Sequence, residues 1–209
     1  MKGRCSNLMD NDKMLEKLSL LAESCSDIEK ELYRKYEVKR GLRDINGKGV
    51  LAGLTNIGEV HSYIIDENET VPVPGRLIYR GIDIDHLVKG FMDEKRLGFE
   101  ETCYLLLFGD LPDKETLSEF ELLLGNYRKL PRSFVRDMIM KAPSRDMMNV
   151  MARSVLSLYS YDENADDTSI KNVLRQSIHL IACLPLLAVY GYQAYEHYQR
   201  DKSLFIHPP

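Results

Sequence analysis

Glu59 and His61 stand two residues apart in GEVHSY, so in an extended chain both side chains leave the same face. A carboxylate and an imidazole placed that way are half of a metal site. No third ligand stands nearby in the sequence, and an isolated pair of this kind is commonly ordinary polarity on an exposed strand. His86 and His179 fall in helical stretches and are read as having no ligand partner at helical spacing. His197 has Glu196 beside it, but neighbours on a helix point in different directions. Gly47-Lys48-Gly49 hints at a phosphate loop, yet the first glycine and the closing Ser/Thr of that motif are missing, so a glycine-rich turn is the better account. Met138, Met140, Met147, Met148 and Met151 suit either a plastic binding surface or core filling, and core filling is the commoner use. The GxSxG, HExxH and GxGxxG patterns are absent. The residues by themselves therefore name no catalytic, cofactor or metal site.

Positioning falls almost wholly to helices. In SDIEKELYRKYEV, Ser26 and Glu29 have the spacing of a capping box, and Leu32, Tyr33 and Tyr36 follow on one face. Glycines at 41, 47 and 49 end that pattern. A β region comes next: IGEVHSYII, the polar turn DENET, then VPVPGRLIYR. Pro72 and Pro74 have no N–H to donate, which predicts pairing only from Arg76 to Tyr79. In GRLIYRGIDIDHL, Gly81 permits a sharp turn and Asp83 can cap a helix starting at Ile84. From there on only helices are expected. One ends at Gly109, one starts at an Asp113 cap, and a short one, RSFVRDMIMKA, stops before Pro143. Another starts at a Ser144 cap, and a long one over 169–199 is capped by Thr168 and kinked at Pro185.

Composition sets the outer limits. The chain has 209 residues, 44% of them hydrophobic and 29% charged, which suits a globular protein and not a disordered one. A net charge of −4 gives no basic surface for nucleic acid. Cys5, Cys25, Cys103 and Cys183 are scattered and form no CxxC pair, so reduced thiols are expected. The N-terminus lacks an apolar run of signal-peptide length. IHLIACLPLLAVY is too short to span a bilayer, so the expectation is a cytoplasmic protein with no membrane partner.

Several phrases, in order, resemble the citrate/2-methylcitrate synthase family: KRGLRDINGKGVLAGLTNIGEVHSY, GRLIYRGIDIDHL, FEETCYLLLFGDLP, APSRDMMNVMARSVLSLYS and LIACLPLLAVYGY. The likeness covers about residues 35–209. It implies an all-α, citrate-synthase-like helical domain with one short β-hairpin near residues 57–80. Residues 1–38 would form an N-terminal helical segment, and 39–209 the N-terminal portion of the large domain, incomplete at its C-terminus. The hairpin holds no catalytic residue in that family, so Arg76 and Arg80 are expected to bond carbonyls or carboxylates. ENETVPVPG is longer and richer in proline than the family's tight turn, and Arg145-Asp146-Met147-Met148 departs from its usual helix start.

For a complete enzyme the resemblance implies condensation of acetyl-CoA with oxaloacetate to citrate and CoA. This requires a carboxylate base, donors to the enol oxygen and arginines for two carboxylates. Acetyl-CoA is then a substrate, and no cofactor is implied. None of the family's catalytic motifs matches a position here, His207 included, and SLFIHPP reads as a cut, so the expected catalytic, cofactor-binding and metal residues are none. The chain is expected to be an inactive fragment that forms a homodimer through helices 145–160 and 168–198. Its alternatives are a 2-methylcitrate synthase, which would take propionyl-CoA, and a truncated, non-catalytic helical dimerisation protein.

Overall fold

The computed structural model describes residues 2–39, 51, 53–66 and 69–206, and the side chains from residue 11 onward, apart from those of Ile65 and Asp66. The expectations for Gly47-Lys48-Gly49 and His207, and for the side chain of Cys5, fall outside them. The elements are α1 (Lys2–Ser26), α2 (Lys30–Lys35), β1 (Gly58–Asp66), β2 (Glu69–Tyr79), β3 (Ile82–Asp83), α3 (Ile84–Asp93) and α4 (Phe99–Phe108). After these come α5 (Lys114–Tyr127), a π-helix (Val135–Met140), α6 (Met147–Tyr159) and α7 (Ile170–Arg200). Helices dominate and the only sheet among the described residues has three strands in the order β1-β2-β3, as the sequence implies. The chain divides into two compact units, Met1–Ser19 with Ser118–Pro209, and Leu20–Leu117.

In the unit Leu20–Leu117 the hairpin is longer than the prolines suggest. β1 pairs with β2 antiparallel from Gly58↔Tyr79 to Asp66↔Glu69, and Pro72 itself stands opposite Tyr63. Pairing thus resumes well before Arg76. The register shifts between His61↔Arg76 and Tyr63↔Pro72, where Ser62 faces the three residues 73–75. β2 thereby absorbs Pro74 in an irregular stretch while β1 stays regular. Arg80 and Gly81, with φ of 48° and 83°, make the two-residue turn that brings Ile82 opposite Tyr79. Asp83 caps α3 by accepting from the Asp85 N–H at 3.1 Å. Gly109, at φ 90°, ends α4 as a left-handed cap whose N–H donates to the Leu105 carbonyl. Leu87, Tyr104, Leu105 and Phe108 form the buried apolar positions of α3 and α4.

Three helix starts differ from expectation. α1 runs through to Ser26, whose hydroxyl donates back to the Ala22 carbonyl at 2.6 Å. Ser26 therefore closes a helix and opens none, and Glu29 sits at the start of α2 without a side-chain cap. Asp146, and not Ser144, caps α6, accepting from the N–H groups of Met148 and Asn149. Ser169, one residue past Thr168, caps α7. Asp113 does cap α5, accepting from the Thr116 N–H at 2.8 Å.

The second unit, Met1–Ser19 with Ser118–Pro209, is built on α7, which continues through Pro185 for 31 residues. Phe134, Ile139, Val150, Leu158, Leu187, Tyr190 and Ala194 form its core, contributed by the π-helix region, α6 and α7. Gly191 lets α6 approach closely, because a Cβ there would fall 2.9 Å from Val150 Cγ1. Leu15 and Leu18 of α1 and Phe120, Leu123 and Leu124 of α5 are also buried in this unit. Within RSFVRDMIMKA, Val135–Met140 is the π-helix, wound more widely than the α-helix its spacing suggests.

Candidate functional site

The β-element carries two engaged arginines. Arg80 directs its guanidinium at the Leu106 carbonyl (3.0 and 3.3 Å), the Cys25 carbonyl (3.2 Å) and Asn56 Oδ1 (2.9 Å). Leu106 and Cys25 lie in the last turns of α4 and α1, so one cation satisfies carbonyls at two negative helix ends. Arg76 places Nε and Nη2 on the Asp83 carboxylate at 3.1 and 2.9 Å. The Arg76 guanidinium, helped by the Asp85 N–H, holds that carboxyl below the usual carboxylate range. Both arginines bond carbonyls or carboxylates, as expected: Arg80 through Nε and both Nη atoms, Arg76 through Nε and Nη2.

The histidines do not converge. His61 Nε2 and Glu59 Oε1 are 2.6 Å apart on the exposed ribbon. His86 is exposed on α3. His179 is half-buried, and burial pushes its pKa down, partly offset by a bond to the backbone of Lys129. Cys183 does stand four residues after His179, a spacing the sequence reading passed over. Its Sγ, however, is buried and bonds the Tyr127 carbonyl at 3.4 Å, and burial raises the thiol to about 11. His197 Nδ1 faces the Lys202 carbonyl at 2.8 Å, and buried Glu196 pairs with Arg200 and Lys202. That cluster fastens the end of α7. No group of three or more His, Cys, Asp or Glu able to hold a metal occurs among the described residues.

Two grooves remain. One, of about 520 Å³, is lined by Tyr36, Leu54, Asn56, Ile78 and Arg80, with Glu59 on its wall. The other, of about 650 Å³, lies in the α7 unit and is lined by Phe134, Val135, Met140, Leu186 and Tyr190, with Lys129 and Arg136 among its cations. Both could receive an apolar group. Neither lining holds a histidine; a smaller pocket of about 150 Å³ is lined by both His179 and Asp162, but the Asp162 carboxylate is held there by Arg175. Of the five methionines, Met140 lines the second of these grooves, while Met138 and Met151 pack on the core beside it.

The sequence reading missed a polar clamp ahead of α7. Arg175 Nη2 donates to both Asp162 oxygens at 2.7 and 2.8 Å, and its Nε donates to Asn172 Oδ1 at 2.8 Å. Buried Asn172 in turn donates to the Asn164 and Asp167 carbonyls. Asn172 and Arg175 are three residues apart, which hints that they share a face, but nothing in the sequence says the acidic loop folds back onto them.

Residues 42–207 match the family model described as citrate synthase, C-terminal domain. The chain belongs to the citrate synthase family. Among its relatives in that family is citrate synthase 1 of Mycobacterium tuberculosis, 32% identical over 120 residues, which are 57% of this chain and 26% of that protein. The 2-methylcitrate synthase 1 of Corynebacterium glutamicum is 27% identical over 152 residues, 72% of this chain and 34% of that protein. The solved citrate synthase of Pyrobaculum aerophilum shares the fold with a TM-score of 0.57 at 22% identity, covering 80% of this chain and 40% of that one. The chain thus spans about a quarter to a third of the length of these curated citrate synthase family relatives.

Proposed function

We propose that this chain is the helical scaffold segment of a synthase that condenses acetyl-CoA with oxaloacetate to citrate and CoA. The family match over 42–207 carries this reading. Carbon–carbon bond formation of this kind needs a base at the acetyl methyl, donors to the enol oxygen and cations for two carboxylates. Arg80 is engaged by backbone carbonyls of the fold, Arg76 is paired with Asp83, and no cluster of three or more His, Cys, Asp or Glu able to hold a metal occurs among the described residues. The segment therefore supplies support, and the reacting groups come from elsewhere in the assembled enzyme. The isolated 209-residue chain is inactive on this account. Mixed with acetyl-CoA, oxaloacetate and a thiol-reactive dye, it should release CoA no faster than a no-protein control. Release above that control would overturn the proposal. The 2-methylcitrate synthase relative keeps propionyl-CoA as the second substrate reading, which parallel assays of the encoded protein with the two acyl-CoAs would separate.

The partner reading is a homodimer through 145–160 and 168–198. Exposed Met148, Leu156 and Tyr159 of α6, and Leu184, Val189 and Tyr192 of α7, support it. The same surface would serve the non-catalytic dimerisation protein that is the alternative reading. By length and composition α7 could also cross a membrane. It instead carries buried Ile178, Ala182, Leu187, Tyr190 and Ala194, together with buried Glu196, as a core helix does. A cytoplasmic location without a membrane partner is the accompanying proposal.

A further inference from the structure

The two edges of the β1–β2 ribbon are built differently. β3 covers only Ile78 and Tyr79 of β2, and no other strand among the described residues pairs with the outer edge of β1 or with the rest of β2. The β2 edge is guarded. It carries Pro72, Pro74 and Arg76, and its register breaks opposite Ser62. The β1 edge, GEVHSYIID, has no proline, lysine or arginine and is strand throughout, with the extra residues of the register break all on β2. Val60, Tyr63 and Ile64 are 74%, 56% and 51% exposed along it. A two-stranded ribbon is marginal in water alone, and an unguarded regular edge is a template for another strand.

We propose that β1 pairs antiparallel with β1 of a second copy, about a two-fold axis at Ser62. The sequence of β1 is complementary to itself in that register. Val60 then lies opposite Ile64 of the second copy, His61 opposite Tyr63, and Ser62 opposite Ser62. No like charges face each other. Glu59 falls diagonally from the partner copy's Tyr63 hydroxyl, within reach of a long side chain. Centring the axis on Tyr63 instead would set Ile64 against Ser62 and His61 against Ile65, which loses the apolar pairing. This contact joins two three-stranded sheets into one of six strands. It uses none of the α6 and α7 residues and does not depend on the proposed chemistry.

The test is register-specific cross-linking of the full chain under mild oxidation. In Ser62→Cys the two introduced thiols meet at the axis and should form a covalent dimer, with the disulfide mapped to position 62 by mass spectrometry. In Glu59→Cys the same positions lie six residues out of register, about 20 Å apart at 3.4 Å per residue, beyond disulfide reach. That variant should lose the link, as should the unmodified chain with its own cysteines. Adding Val60→Lys to Ser62→Cys should also abolish it; Val60 is exposed, so this change leaves the fold intact. Cross-linking of Ser62→Cys no faster than of Glu59→Cys overturns the proposal. A dimer formed only through α6 and α7 would give that result while still sedimenting as a dimer, so the two associations fail separately.

Discussion

Arg80 sets the terms at the scale of single residues. Its backbone sits at φ 48°, a conformation that disfavours a side chain with a Cβ, yet its guanidinium reaches carbonyls at the ends of both α1 and α4. Arg80→Ala keeps the backbone strain and strips these carbonyls of a charged donor. The expected loss is roughly 2–3 kcal/mol, read as a fall in the thermal midpoint. Arg80→Lys should recover only part of it, because an ammonium cannot fork between separate acceptors. A thermal midpoint for Arg80→Ala equal to that of the unmodified chain would contradict this role. The sequence showed that an arginine stood beside a tight turn. It could not show the acceptors, because Cys25 and Leu106 lie 55 and 26 residues away.

Among the elements, α7 depends on the loop before it. Burial raises the Asp162 pKa, but the Arg175 hydrogen bonds and charge, together with the Asn164 N–H and the Gln176 amide, outweigh that and leave the carboxyl below its ordinary value. A carboxylate whose folded pKa is depressed stabilises the fold above its unfolded pKa, near 4, and that contribution is lost as pH falls through the folded pKa. Asp162→Asn should therefore unfold at a lower temperature than the unmodified chain at pH 7, and the gap should close as pH drops below about 4. A gap independent of pH would mean that packing, and not charge, holds the loop. Helices were legible as elements because apolar spacing persists over many residues, whereas their first residues were not. At α6 the choice between Ser144 and Asp146 turned on which oxygen met free N–H groups. At α1 and α2 the Ser26–Glu29 spacing copied a capping box across the end of one helix and the start of the next. Pro72 was misleading in the other direction, since a register break two residues away let the ladder continue past it.

For the whole molecule, the family was legible in phrases spread over most of the chain. A reacting constellation was not: His61 and His86 stand on β1 and α3, and His179 and His197 sit about five turns apart on α7. Leu187 is fully buried within its own unit, so Leu187→Glu should unfold the chain and cannot report on association. Leu156 and Val189, 75% and 54% exposed, are the positions that can. Sedimentation equilibrium of the Val60→Lys chain, whose β1 edge is blocked, isolates the helical contact. The account predicts twice the 24.1 kDa chain mass, falling to a single chain when Leu156→Glu and Val189→Glu are added with helicity unchanged. A folded Val60→Lys chain that sediments as a monomer at every concentration would contradict it.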